Sequence, residues 1–180
     1  FSNPKSPASV ITERLESFGN TTLTDTILGT TFRYATEGFF QVNIPVYEQA
    51  LQDMKSWIPA DRPTVDMYSG VGTIGLTIGS PDTVLVELNE HAVREMQRNI
   101  ADLGRSATAV LAASEQALEH ITSERTIILD PPRAGLHADV VDRLLDQLPE
   151  RIIYLSCNPA TRARDVALLL EKYQITHTQG

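Results

Sequence analysis

The chain has 180 residues, 42% of them hydrophobic, a net charge of −8, four histidines and one cysteine. That length suits one domain with a sizeable core. One cysteine excludes an internal disulfide framework, and the scattered histidines lack ligand spacing, so no metal site is expected. No apolar run is long enough to cross a bilayer, so no membrane association is expected and a reducing cytoplasm is the default compartment. The acidic charge has the wrong sign for an unaided grip on a phosphate backbone.

Residues 1–20, with Pro4, Pro7 and Gly19, read as a linker with at most a short central helix. "TTLTDTILGTTFRYA" is rich in Thr and β-branched residues around Gly29, which predicts a hairpin. After "EGFFQVN", Asn43 is the expected N-cap and Pro45 suits the first turn of a helix running to about Ser56. From Thr64 onward, strands alternate with helices. "TVDMYS", "TVLVEL", "ATAVLA", "RTIILD" and "RIIYLS" read as strands. Between and after them, a short helix follows a glycine loop, and "NEHAVREMQRNIADLG", "SEQALEHI", "HADVVDRLLDQL" and "PATRARDVALLLEKY" read as helices. This order predicts an α/β fold, a doubly wound and mostly parallel sheet with helices on both faces, preceded by a short β-hairpin. "YQITHTQG" reads as the start of a further strand. Together with the first residue being Phe1, it reads as part of a longer protein with C-terminal strands cut away.

"DMYSGVGTIG" carries Gly70, Gly72 and Gly75 as G-x-G-x-x-G between strand and helix, where glycines allow a tight turn and close approach to a ligand. Glu87 ends the next strand, where a carboxylate can accept both hydroxyls of an adenosine ribose. The loop alone fits a nicotinamide dinucleotide or S-adenosylmethionine. Asp66, four residues before Gly70, favours the second, because a carboxylate there can face an ammonium group. A dinucleotide site would turn its helix start toward a pyrophosphate.

"ILDPPRAGL" places Asp130 at the carboxyl end of a strand, followed by two prolines that stiffen the loop. Such a loop can hold a carboxylate against a planar substrate. Arg133 beside it has the reach of a bidentate phosphate donor, and Pro131 completes the loop's candidate substrate contacts. "YLSCNPAT" puts Cys157 at the next strand-to-helix turn, on the same sheet edge. A helix start beside the sulfur favours the thiolate, the nucleophilic form. The alternative roles are a tight structural turn, a rigid loop and a small apolar cysteine.

"FFQVN", "DMYSGVGTIGL", "VELNEHAV", "ILDPPRAGL" and "YLSCNPATRARDV" together resemble the RNA uracil-C5 methyltransferases, which use S-adenosylmethionine to make 5-methyluridine in ribosomal or transfer RNA. The similarity runs over about residues 30 to 170. It implies a Rossmann-like class I methyltransferase fold, with residues 1–42 as linker and hairpin and residues 43–180 as the methyltransferase domain. It implies Cys157 as nucleophile toward C6 of the pyrimidine, with Asp130 and its loop holding and orienting the base. Gln41, Asp66, Tyr68, Gly70, Gly72, Thr73, Glu87 and Asp130 become the expected cofactor site, and Pro131, Arg133 and Asn158 the expected substrate contacts. The resemblance also implies a glutamate base beyond Gly180 and an RNA-binding barrel before Phe1. The chain is then a monomer that binds RNA weakly alone, through Arg133, Arg151, Arg162 and Arg164. One departure is Ala113, where many members carry an aspartate beside the adenine, with Ser114 as the candidate substitute. A nicotinamide-dependent oxidoreductase domain and a non-catalytic cofactor-binding module are the alternative readings.

Overall fold

The computed structural model describes residues 19–36 and 38–179, so the expected linker falls almost wholly outside them. The chain opens with β1 (Thr22–Ile27) and β2 (Thr30–Ala35), paired antiparallel across a two-residue turn at Leu28 and Gly29. Both turn residues have positive φ, 49° and 78°, the geometry whose twist matches a hairpin. The Leu28 N–H donates to Glu48 Oε1 at 2.6 Å, which pins the hairpin tip to α1 (Ile44–Trp57). Asn43 occupies the N-cap position of α1 as expected, but its side chain makes no capping bond. Its backbone carbonyl accepts from Tyr47 N–H instead, at 3.0 Å.

The remaining elements are β3 (Thr64–Met67), α2 (Thr73–Ile78), β4 (Val84–Glu87), α3 (Glu90–Asp102), β5 (Thr108–Leu111), β6 (Thr126–Leu129), α4 (Ala138–Gln147), β7 (Arg151–Tyr154) and α5 (Pro159–Leu169). All five strands after the hairpin are parallel, in the order β5-β4-β3-β6-β7. The doubly wound sheet expected from the sequence is present. Strand side chains alternate between faces. Leu85, Ile128 and Ile153 pack with Tyr47, Leu51 and Met54 of α1, Ile74 of α2 and Met96 of α3. Val65, Met67, Ile127 and Leu129 pack on the other face with Val140 and Leu144 of α4 and Leu169 of α5.

Three expectations shift. "SEQALEHI" forms two single 3-10 turns, Ser114–Gln116 and Leu118–His120, instead of one helix. The segment is short, and Arg143 Nε of α4 takes the Leu118 carbonyl at 3.2 Å. Helix α5 stops at Leu169, short of the expected Tyr173, and its end tightens into turns. Tyr173 then turns away, and its hydroxyl, with one hydrogen to donate, lies 3.1 Å from the Leu144 carbonyl and 3.0 Å from the Pro149 carbonyl near the end of α4. Residues 174–179 have no regular structure, where a strand was expected. A strand persists only in a ladder, and no described strand pairs with this segment.

The third glycine of the loop is required by packing. A Cβ on Gly75 would lie 2.3 Å from Leu85 Cδ2 and 2.9 Å from Thr83 Cγ2. Gly75→Ala is expected to destabilise the fold by about 1–3 kcal/mol through overpacking, read as a lower urea midpoint with unchanged slope.

Candidate active site

The sheet reverses its winding between β3 and β6, so a crevice opens at the carboxyl ends of these two strands. Asp66, Tyr68, Glu87, Asp130 and Cys157 all lie in or just beyond the carboxyl halves of adjacent strands. Asp66 shares the α1–α2 side of the sheet and is fully buried. Its Oδ2 accepts the Gly75 N–H at 2.8 Å, while Oδ1 is buried without a partner. Burial pushes its carboxyl up to about 8, against the Gly75 bond, which lowers it, and with smaller upward contributions from Asp130 and Glu87. Asp130 is raised to about 6 by burial.

The glycine loop is shaped by backbone conformation. Tyr68, Gly70 and Gly72 all have positive φ, at 64°, 58° and 87°. For Tyr68 that conformation is strained, a feature that concentrates at functional sites. The Gly70 N–H donates to Glu87 Oε2 at 2.9 Å, and the Asn89 N–H to Glu87 Oε1 at 2.7 Å. Glu87 therefore ties the first loop to the second while retaining lone pairs for a ligand. A Cβ on Gly70 would meet nothing within 4 Å, so the turn borders open space. Thr73 is buried at the first residue of α2. Ser114, expected near an adenine, is buried, with its Oγ 2.8 Å from the Tyr68 hydroxyl and 3.2 Å from Glu115 Oε2, to one of which it can donate. Its neighbour Ala113 is also buried.

Gln41 lies half-buried between the hairpin and α1. The adjacent Phe40 stacks on Tyr34 of β2, with ring centroids 4.2 Å apart, and fixes this segment.

Cys157 is exposed. Ser156 and Asn158 build the turn that presents it. The Asn158 N–H donates to Ser156 Oγ at 3.1 Å, and Asn158 Oδ1 caps α5 by accepting from Ala160 N–H at 3.1 Å. Asn158 Nδ2 donates to the Arg133 carbonyl at 3.1 Å, which ties the cysteine turn to the proline loop. A second fastening lies about two helical turns further on. The buried Asp165 accepts from Leu136 N–H and the Tyr154 hydroxyl, both at 2.8 Å, and pairs with Arg164 at 2.7 Å. Arg164 also donates to the Ala134 carbonyl at 2.9 Å. Pro131 is buried within the loop and Arg133 is exposed.

The expected arginine cluster does not assemble. Arg151 begins β7, at the opposite end of the sheet, and donates to the Trp57 carbonyl. Arg164 is committed to Asp165 and the proline loop. Sequence reasoning also missed two residues. Tyr47 of α1 is buried with its hydroxyl raised well above the usual range, first by burial and then by the charges of Asp130 and Asp66. Its only sequence signal was its place in the apolar stripe of α1. Asp165, in "TRARD", carries no local sequence signal that sets it apart from its charged neighbours. Among the described residues, no group of His, Cys, Asp and Glu is placed to hold a metal ion, and no helix is long and apolar enough to cross a membrane.

Residues 26–179 match the model of the tRNA (uracil-5-)-methyltransferase family. The chain belongs to that family. It is 37% identical over 163 residues to an Enterococcus faecalis protein named as an uncharacterized RNA methyltransferase, a match covering 85% of this chain and 35% of that one. The chain thus spans about a third of the length of the curated relatives it matches. The fold overlays on the Pyrococcus abyssi tRNA (uracil-54, C5)-methyltransferase crystallised with S-adenosyl-L-homocysteine. That overlay has a TM-score of 0.81 at 29% identity and covers 98% of this chain and 44% of that one. The Methanocaldococcus jannaschii tRNA m1G37 methyltransferase shares the fold alone, at TM-score 0.65 and 16% identity, covering 89% of this chain and 49% of that one.

The two raised carboxyls make the free protein's stability depend on pH. Folding raises both acids, so their contribution is complete below the unfolded value near 4. It is lost as pH climbs through about 6 for Asp130 and about 8 for Asp66. Asp66→Asn keeps an acceptor for Gly75 N–H and cannot ionise. It is expected to flatten the fall in melting temperature between pH 6 and pH 9, with a gain of roughly a few degrees at the upper end. Scanning calorimetry across that range checks it. A parallel pH dependence in the variant would show that Asp66 is not the titrating group.

Proposed function

We propose that the protein carrying this chain transfers a methyl group from S-adenosylmethionine to C5 of a uridine in RNA, with residues 43–180 forming the methyltransferase domain. The observation that carries the reading is the convergence of an exposed thiol, a half-buried carboxyl and a glycine loop with its two acids on one sheet edge. A transfer RNA is the better supported substrate class than a ribosomal one, given the family and the Pyrococcus neighbour.

The residues present fit the cofactor. Asp66 Oδ1 is a buried acceptor without a partner, suited to an ammonium group. Glu87 has acceptor capacity left for ribose hydroxyls, and Gly70 leaves space beside it. Gln41, Tyr68, Gly72 and Thr73 complete the proposed pocket. When bound, S-adenosylmethionine supplies an electrophilic methyl on a sulfonium sulfur.

C5 of uracil is a weak nucleophile, and Cys157 overcomes that. Its sulfur forms a bond to C6, and the electrons of the C5–C6 double bond move toward O4 as an enolate. C5 then takes the methyl as the sulfonium carbon–sulfur bond breaks. A base removes the C5 proton, the C6–sulfur bond breaks, and the thiolate returns. No described residue is assigned as that base. Asp130 and its two prolines orient the pyrimidine, with Arg133 and Asn158 on the RNA side. Burial keeps Asp130 poised between its two forms near pH 6, so it can donate or accept at uracil's polar edge.

Weak RNA binding by the chain alone, as a monomer in the cytoplasm, belongs to the same proposal. The net charge of −8 and the loss of Arg151 and Arg164 to internal contacts support the weak binding.

In the full-length protein, Cys157→Ala is expected to abolish 5-methyluridine formation while S-adenosylhomocysteine affinity stays within about twofold, since the thiol acts on the pyrimidine. A variant that still made 5-methyluridine at the normal rate would overturn the mechanism. Glu87→Ala is expected to weaken S-adenosylhomocysteine ten- to a hundredfold, about 1.5–3 kcal/mol for charge-assisted hydrogen bonds. Unchanged calorimetric affinity would remove the ribose assignment.

A further inference from the structure

Asn99 lies in α3 and is only 2% exposed. Its amide joins three parts of the chain. Oδ1 accepts the Arg33 N–H at 2.8 Å, and Nδ2 donates to the Arg33 carbonyl at 3.0 Å, so the side chain pairs with the free edge of β2 much as a strand would. The second Nδ2 hydrogen goes to the Val71 carbonyl at 3.1 Å. Val71 sits between Gly70 and Gly72, both left-handed, in the middle of the glycine loop.

The local hydrogen-bond pattern explains why that carbonyl needs a partner. The first helical bond of α2 runs from Leu76 N–H to the Gly72 carbonyl. One residue earlier, Gly75 N–H would bond to the Val71 carbonyl and extend the helix by a residue. The two halves of that bond are instead taken separately. Asp66 accepts the Gly75 N–H, and Asn99 donates to the Val71 carbonyl. The helix therefore opens at Gly72, and the loop before it is held by a side chain from α3 that also grips the hairpin.

We propose that Asn99 is a positioning residue for the cofactor loop, and that it makes the β1–β2 hairpin part of the cofactor site without touching the cofactor. This rests on the proposed reading of the glycine loop as the S-adenosylmethionine site. The coupling is reciprocal, so cofactor at the loop also steadies the hairpin edge.

The test uses the full-length protein and S-adenosylhomocysteine. Asn99→Asp keeps the size and the acceptor for Arg33 N–H but removes both donors. It is expected to raise the dissociation constant about tenfold or more, the scale of a lost buried hydrogen bond with the carbonyl left bare. Asp102→Ala breaks a different polar contact of α3 with the hairpin, the 3.8 Å pair with Arg33, and leaves Val71 alone. It is expected to leave the constant within about twofold. In the unaltered protein, hydrogen exchange at the Arg33 amide is expected to slow when S-adenosylhomocysteine binds. That measurement decides the matter even if Asn99→Asp fails to fold. Equal affinity in Asn99→Asp and the unaltered protein, or unchanged exchange at Arg33, overturns the proposal and leaves the functional reading standing. An unaltered protein without affinity for S-adenosylhomocysteine overturns the functional reading and this proposal with it.

Discussion

A row of side chains crosses one face of the sheet through Leu85, position 66, Ile128 and Ile153. Three are apolar and fully or nearly fully buried, and the fourth is Asp66. Alternation along β3 obliges that side chain to face the α1–α2 layer, where an ionised carboxylate has little water and one oxygen lacks a partner. A sequence selected for stability alone would place another aliphatic residue there. The rest of the site accommodates this one carboxyl. Gly75 has no side chain, which lets its N–H reach Asp66, and α2 begins late because that N–H is taken. The loop before α2 then runs through left-handed Gly70 and Gly72, with the Gly70 N–H donating to Glu87 and the Val71 carbonyl between them accepting from Asn99.

The other half of the crevice follows a different principle. The proline loop after β6 and the cysteine turn after β7 are held mainly by hydrogen bonds between the two segments. They are fastened to each other through Asn158, Arg164 and Asp165, each bridging α5 or its cap to backbone groups of residues 133–136. Gly135 is part of this fastening, since a Cβ there would meet Arg164 Nη2 and Asp165 Oδ2. Cys157 is left exposed by the same turn that holds its neighbours rigid. On the proposed reading such support serves a nucleophile, because the backbone that carries Cys157 is held by the scaffold.

The sequence made the sheet legible because each strand carried a run of β-branched and aliphatic residues followed by turn chemistry, and each crossover had helical periodicity. It made the glycine loop, the proline loop and the cysteine turn legible because these are local patterns. What it concealed were partners distant in the chain. Asn99 and Arg33 are 66 positions apart, and Asp165 and Leu136 are 29 apart. In "MQRNIAD" and "TRARDV" both polar residues look like solvated helix positions, and only the packed structure shows them buried. The same blindness produced the false arginine cluster. Arg151 and Arg164 are close in sequence to the cysteine, yet one lies at the far end of its strand and the other is paired. The missing helix at residues 114–121 and the missing strand at 174–179 have a common cause. Local propensity was adequate in both, and tertiary partners decided otherwise.

Electrostatics connects the two halves of the proposed site. Glu87, Asp66 and Asp130 lie on adjacent strands, and three full negative charges there would repel an incoming RNA phosphate as well as each other. Burial removes much of that charge. A carboxyl raised to about 8 keeps its proton at neutral pH, and one raised to about 6 keeps it part of the time. An ammonium group placed against Asp66 would restore the ordinary preference for the carboxylate and expel the proton. A cation is thus welcomed by charge that appears when it arrives. In the absence of a cation Asp66 adds little charge to the crevice, while Asp130 is mostly ionised at neutral pH. On the proposed reading, the ammonium of the cofactor takes the place of the Asp66 proton, so loading adds no net negative charge to that side of the crevice.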